Sequence, residues 1–140
     1  MFFNNNPNQI HRADVAEVRL FSAYRMNGSV PGIGTITNYR GIPYSEQPVM
    51  FRGATSGILN DRIMYPSVRV EISFENGGFF VFDDMILTHR AGQPGDSGAA
   101  LLTRPISGSS DLAVLGTYSL SAYLSNGQHI GIYSRVQNYN

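Results

Sequence analysis

At 140 residues, with 42% hydrophobic and 14% charged side chains, the chain is sized for one domain with a real core, too apolar for disorder and too lightly charged for a coiled coil. Ten basic and ten acidic residues cancel, so a nucleic-acid or anionic-membrane partner gains no support, and no run of about 18 apolar residues marks a membrane-spanning helix. Cysteine is absent and no acidic cluster stands out, so neither a disulfide, a metal nor a cofactor is expected.

Residues 1–12 read as a flexible polar arm. The stretch Met1-Phe2-Phe3-Asn4-Asn5-Asn6-Pro7-Asn8 has no basic region and no apolar core of signal-peptide length, so a cytoplasmic location is the expectation. Residues 15–24 read as a strand. Residues 30–39 read as another, with Pro31, Gly32 and Gly34 bending its start. A third is expected over 49–58, interrupted by Gly53 and Gly57. Val68-Arg69-Val70-Glu71-Ile72-Ser73-Phe74 alternates strictly, as a half-buried strand does, and Glu75-Asn76-Gly77-Gly78 is a hairpin turn leading to a partner over 79–88. Strands over 99–103, 113–119 and 129–136 complete the set, with turns at 106–110 and 125–127. No helical period, internal repeat or linker interrupts this pattern, which is that of an all-β sandwich or barrel.

The segment that carries chemistry is Gly92-Gln93-Pro94-Gly95-Asp96-Ser97-Gly98-Ala99-Ala100-Leu101-Leu102. A serine lies between an acid and a glycine in a glycine-bracketed turn that runs into an apolar strand. Glycines let the backbone turn sharply and bring bare N–H groups near the hydroxyl, where they can stabilise an oxyanion formed by attack of the serine on a carbonyl. The turn resembles the Gly-Asp-Ser-Gly signature of the chymotrypsin-like (trypsin-like) serine proteases. Further segments match the same family in order. Val114-Leu115-Gly116-Thr117-Tyr118-Ser119 is similar to its "valine-glycine-x-x-serine" strand, and Gly131-Ile132-Tyr133-Ser134-Arg135-Val136 to its "glycine-apolar-tyrosine-x-x-valine" strand. Gly53-Ala54-Thr55-Ser56-Gly57 is similar to a bend common in bacterial members, and Ala13-Asp14-Val15-Ala16 to the strand bearing the triad aspartate.

The resemblance covers residues 13–136. It implies an all-β fold: a six-stranded antiparallel Greek-key barrel, the family's second barrel, over 25–140, preceded by a strand over 13–24 left from the first barrel. The part of the first barrel that bears the family's histidine has no counterpart. The resemblance further implies Ser97 as nucleophile, the N–H groups of Gly95 and Ser97 as oxyanion hole, Asp14 as the acid that orients a histidine, and Ala91, Ser119, Leu120, Ser121 and Gly131 as the substrate-pocket positions. Ala91 stands where trypsin-like members carry an aspartate, so a neutral pocket for apolar or small side chains is expected, narrowed by Ser121. Asp96 is expected to be structural, held by a cation such as Arg52 or Arg90 or by several N–H donors. His11, His89 and His129 read as surface or loop histidines rather than as the base.

Three functions follow from these residues. The first is the C-terminal part of a serine endopeptidase acting on a peptide or protein, with its histidine on an N-terminal fragment. The second is an inactive pseudoprotease that binds peptides or proteins, or associates with itself through the open edge of the 13–24 strand. The third, a one-barrel hydrolase with another base, is weakened by the complete lack of lysine.

Overall fold

The computed structural model describes residues 10–11, 29–30, 32–73, 77–105 and 108–138. Among them are nine strands: β1 Ile10–His11, β2 Ser29–Val30, β3 Gly34–Asn38, β4 Pro48–Gly53, β5 Gly57–Ser73, β6 Phe79–Thr88, β7 Ala100–Thr103, β8 Asp111–Tyr123 and β9 His129–Arg135, followed by a 3₁₀ turn at Val136–Asn138. The expected strand over 15–24, Asp14 and most of the N-terminal arm lie outside the described residues.

Six strands close a ring. β4 pairs with β5, β5 with β6, β6 with β9, β9 with β8, β8 with β7, and β7 returns to β4, every pair antiparallel. The chain runs through β4, β5 and β6 as neighbours, crosses to β7 beside β4, and comes back through β8 to β9 beside β6. This is the six-stranded antiparallel Greek-key barrel expected from the sequence. Closure leaves these strands no free edge within the ring. Outside it, β3 adds to β8 in parallel, β2 pairs with β3, and Ile10–His11 lies parallel to β6 at Val81–Phe82.

Two differences from the sequence reading have physical causes. The single strand expected over 49–58 is two strands of a hairpin, whose register closes at Gly53↔Gly57. Gly57 takes the left-handed backbone (φ +67°) that such a tight return needs. The first half of the 17-residue β5 carries no strand signal, because Asn60-Asp61-Arg62 and Pro66 read as turn residues. Asp61 is nevertheless buried, and its carboxylate accepts the N–H groups of Arg62 (2.7 Å) and Arg90 (3.1 Å). Pro66 falls where the β5–β6 register shifts between Tyr65 and Val68, so no ladder bond is asked of its missing N–H.

Alternation along β4 sends Val49 and Phe51 inward, where they meet Ile63, Ile86, Leu101, Leu115, Tyr118 and Tyr133 in the barrel core. Phe51 lies parallel to Tyr118 with ring centroids 6.0 Å apart, and meets the edge of Tyr133 at 6.1 Å. Phe51→Ala would remove the ring on which the other two rest. A loss of about 3–5 kcal/mol is expected, read as a lower denaturant midpoint with unchanged slope.

The middle of the β5–β6 ladder, at its register shift beside Val68↔Met85, is tied to the 3₁₀ turn after β9 by one carboxylate. Asp84 holds a left-handed backbone (φ 58°) and accepts Ser67 Oγ (2.5 Å), Arg135 Nη1 (2.6 Å) and Asn138 Nδ2 (3.1 Å). Burial pushes its pKa up, but these three donors outweigh burial and hold it below the ordinary carboxylate value. A depressed pKa contributes stability that is complete above about pH 4 and fades as pH falls through the folded value. Asp84→Ala should therefore lower the melting temperature at pH 7, and the gap to wild type should narrow as the pH is taken below about 4. A gap that stays equal as the pH falls would show that the carboxylate charge is not what holds the corner.

Candidate active site

The Ser97 turn joins β6 to β7 and is built on short local bonds. Asp96 N donates to Gln93 O (3.0 Å) and Ala99 N to Asp96 O (3.0 Å). Gly95 (φ +100°) and Gly98 (φ +89°) take backbone angles that side chains resist, one on each side of the acid–serine pair. The turn is then clamped to β8 by Gly98 N donating to Tyr118 O and Tyr118 N to Ala99 O, both 2.9 Å. Consecutive residues face opposite ways as a result. Asp96 is 1% exposed, while Ser97 is exposed at the tip.

Asp96 is held by four donors. Its Oδ1 accepts the N–H groups of Thr55 (2.8 Å) and Ser56 (3.0 Å), and its Oδ2 accepts Ser56 Oγ (2.5 Å) and Gln93 N (2.8 Å). Burial works to raise its pKa, yet the hydrogen bonds prevail and bring it down to about 2. Of the two ways to stabilise a buried carboxylate, this chain uses main-chain N–H groups rather than a guanidinium. Arg90 turns its guanidinium to Asn60 O (3.0 Å), and Arg52 stands on the outward face of β4. The Gly-Ala-Thr-Ser-Gly bend thus has a purpose the sequence did not disclose: it is the cradle of Asp96. Gly53 and Gly92 let the carboxylate sit this close, since a Cβ on Gly53 would collide with Asp96 Oδ1 and one on Gly92 would lie 3.0 Å from Oδ2. Thr55 Oγ1 adds a bond to Pro94 O (2.8 Å) and so pins the turn on its other side.

Among the described residues, no hydrogen bond occupies the Ser97 hydroxyl or the amides of Gly95 and Ser97. Neither of the two histidines whose side chains are described is bonded to Ser97. His89 Nε2 meets Glu46 Oε1 at 3.0 Å, and His129 Nε2 meets Ser121 Oγ at 2.9 Å while its ring stacks on Tyr123 at 4.2 Å. Asp14 is outside the described residues, and so is the His11 side chain.

The expected pocket positions come together around β8 and β9. Ser121 pairs with Gly131 and Leu120 with Ile132, and Ala91 lies half-buried in the loop after β6. Gly131 has room for no side chain, because a Cβ there would sit 2.8 Å from both Arg90 O and Thr88 Oγ1. Ser119 turns away from solvent, its hydroxyl 2.9 Å from Ser134 Oγ. One residue the sequence reading left out belongs with them. Tyr118 is 5% exposed and meets Tyr133 edge-on at 5.2 Å. Its hydroxyl faces the Ser121 side chain and the Gly92 backbone, and burial pushes its pKa up, so the phenol stays neutral.

No family model matches the chain, and no curated protein does. Solved structures do. The Nocardiopsis protease NAPase is 20% identical with a TM-score of 0.52, over 74% of this chain and 48% of that one. A glutamic-acid-specific serine protease that uses a histidine triad in substrate binding is 20% identical with a TM-score of 0.56, over 84% of this chain and 57% of that one. Thermobifida fusca protease A is 18% identical with a TM-score of 0.53, over 79% and 52%. The fold is chymotrypsin-like. This chain spans about half the length of the chymotrypsin-like proteases it matches. The likeness is one of fold, consistent with the closed ring of β4 to β9.

Proposed function

We propose that the chain is the nucleophile-bearing part of a chymotrypsin-like serine endopeptidase. Ser97 Oγ attacks the scissile carbonyl, the N–H groups of Gly95 and Ser97 receive the oxyanion, and Asp14 orients a histidine contributed by a segment outside these 140 residues. The histidine takes the Ser97 proton as the Oγ–C bond forms, then passes it to the leaving amine as the C–N bond breaks; water releases the acyl group by the reverse steps. One oxyanion donor is worth about 3–4 kcal/mol in comparable enzymes. The observation that carries this reading is the contrast within one turn: a serine exposed with its hydroxyl and two amides unengaged, directly after a carboxylate held by four donors.

A second reading, a pseudoprotease that binds peptides without cutting them, is favoured by the engagement of His89 with Glu46 and of His129 with Ser121. A fluorophosphonate probe separates the two. The endopeptidase reading expects labelling at Ser97 when a segment carrying the family's histidine strand is supplied, and none for Ser97→Ala. Absence of labelling with and without that segment would leave only the binding module.

A further inference from the structure

We propose that Tyr118 fills the specificity pocket and restricts the site to a small side chain, alanine or serine, on the residue before the scissile bond. The inference rests on Ser97 being the nucleophile. The walls that the resemblance implies for the pocket are the loop at Ala91–Gly92 and the strand residues Ser119 to Ser121, of which Ser121 pairs with Gly131. The Tyr118 ring, seated in the barrel core, reaches both: its tip meets Gly92 and its hydroxyl lies beside Ser121. On the loop side, a Cβ added to Gly92 would come within 3.1 Å of Tyr118 Cζ and 3.3 Å of Cε2, so ring and loop are already in contact. On the strand side, the hydroxyl faces Ser121. Beneath, the ring is seated on Phe51 at 6.0 Å and nearly parallel (7°), and on the edge of Tyr133 at 5.2 Å. Its backbone is fixed by Gly98 N, one residue from Ser97 (2.9 Å).

A large substrate side chain could enter only by displacing this ring from two aromatic neighbours and opening the core cluster that holds Phe51 and Tyr133. A methyl or hydroxymethyl group needs no such displacement. Small and large substrate side chains are therefore separated here by volume, with the tyrosine ring as the fixed obstacle.

The test uses two peptide boronates, one ending in the alanine analogue and one in the phenylalanine analogue, titrated calorimetrically against the full chain. A boronate needs the serine oxygen and the oxyanion donors but not the base. The B–Oγ bond forms, boron becomes tetrahedral, and the hydroxyl proton passes to solvent. Wild type should bind the alanine analogue at least about tenfold more tightly, a step typical of pocket discrimination. Tyr118→Val should reverse the preference, and Tyr118→Phe, which keeps the ring, should match wild type. Tyr118→Leu replaces Tyr118→Val if thermal melts show that valine fails to support the core. The proposal is overturned if wild type takes the phenylalanine analogue as readily as the alanine analogue. It is also overturned if shortening Tyr118 leaves the ratio unchanged. In either case binding that is abolished by Ser97→Ala keeps the nucleophile reading intact. If neither boronate binds any of these proteins even with the histidine-bearing segment supplied, the nucleophile reading fails and this inference goes with it.

Discussion

Asp96→Ala should be the most destabilising exchange near the site, costing roughly 3–5 kcal/mol, since four donors lose one shared acceptor and an unsatisfied buried donor costs about 1–3 kcal/mol. The alanine would leave the N–H groups of Thr55, Ser56 and Gln93 and the hydroxyl of Ser56 without their acceptor, in a place where Asp96 itself is 1% exposed. Of the bonds described between the β4–β5 bend and the Ser97 turn, only Thr55 Oγ1 on Pro94 O (2.8 Å) would remain. Asp96→Asn keeps the shape but presents an amide to donors, and about 1–3 kcal/mol should be lost.

The pH dependence follows from the depressed pKa. The stabilisation is complete above the unfolded value near 4 and disappears as pH falls through the folded value of about 2. Melting curves of wild type and Asp96→Asn should therefore converge between pH 4 and pH 2. If Asp96→Ala melts within a degree or two of wild type at pH 7, the four-donor cradle is not holding the turn.

Ser97→Ala should do the opposite: leave the fold alone and abolish chemistry. The side chain is exposed and makes no hydrogen bond among the described residues, so its loss should change stability by no more than about 0.5 kcal/mol. Activity, measured with the histidine-bearing segment supplied, should fall by roughly a million-fold in kcat, as when the nucleophile of an unrelated serine protease is removed. Residual turnover from substrate binding and the two amides should survive above the water rate. A variant that loses activity only modestly would place the nucleophile elsewhere. One that loses activity and unfolds would mean that the serine supports the turn. Setting the two variants side by side separates the roles of adjacent residues: one holds the turn, the other uses it.

The Ser97 turn was legible because backbone geometry imposes its residues. Gly95 and Gly98 occupy left-handed positions, and few other residues tolerate those angles at little cost. Strict alternation made the Val68–Ser73 portion of β5 legible for the same reason: a period of two has one structural meaning when one face is buried. The first half of β5 was hidden because Asp61 and Pro66 answer to partners far along the chain, Arg90 N and the bulge against β6, rather than to their neighbours in sequence. The Asp96 cradle was hidden likewise, as three of its four donors come from about 40 residues upstream and most are main-chain groups, which every residue type except proline possesses.

By itself the amino-acid order determined the all-β class and the sharp turn at Ser97, since each depends on local backbone preference or on residue type. Only the tertiary structure decided what satisfies Asp96 and where the Tyr118 ring lies. Both are contacts between segments brought together by closure of the β4–β9 ring, and a tyrosine in a β-strand carries no local signal of which space its ring will fill.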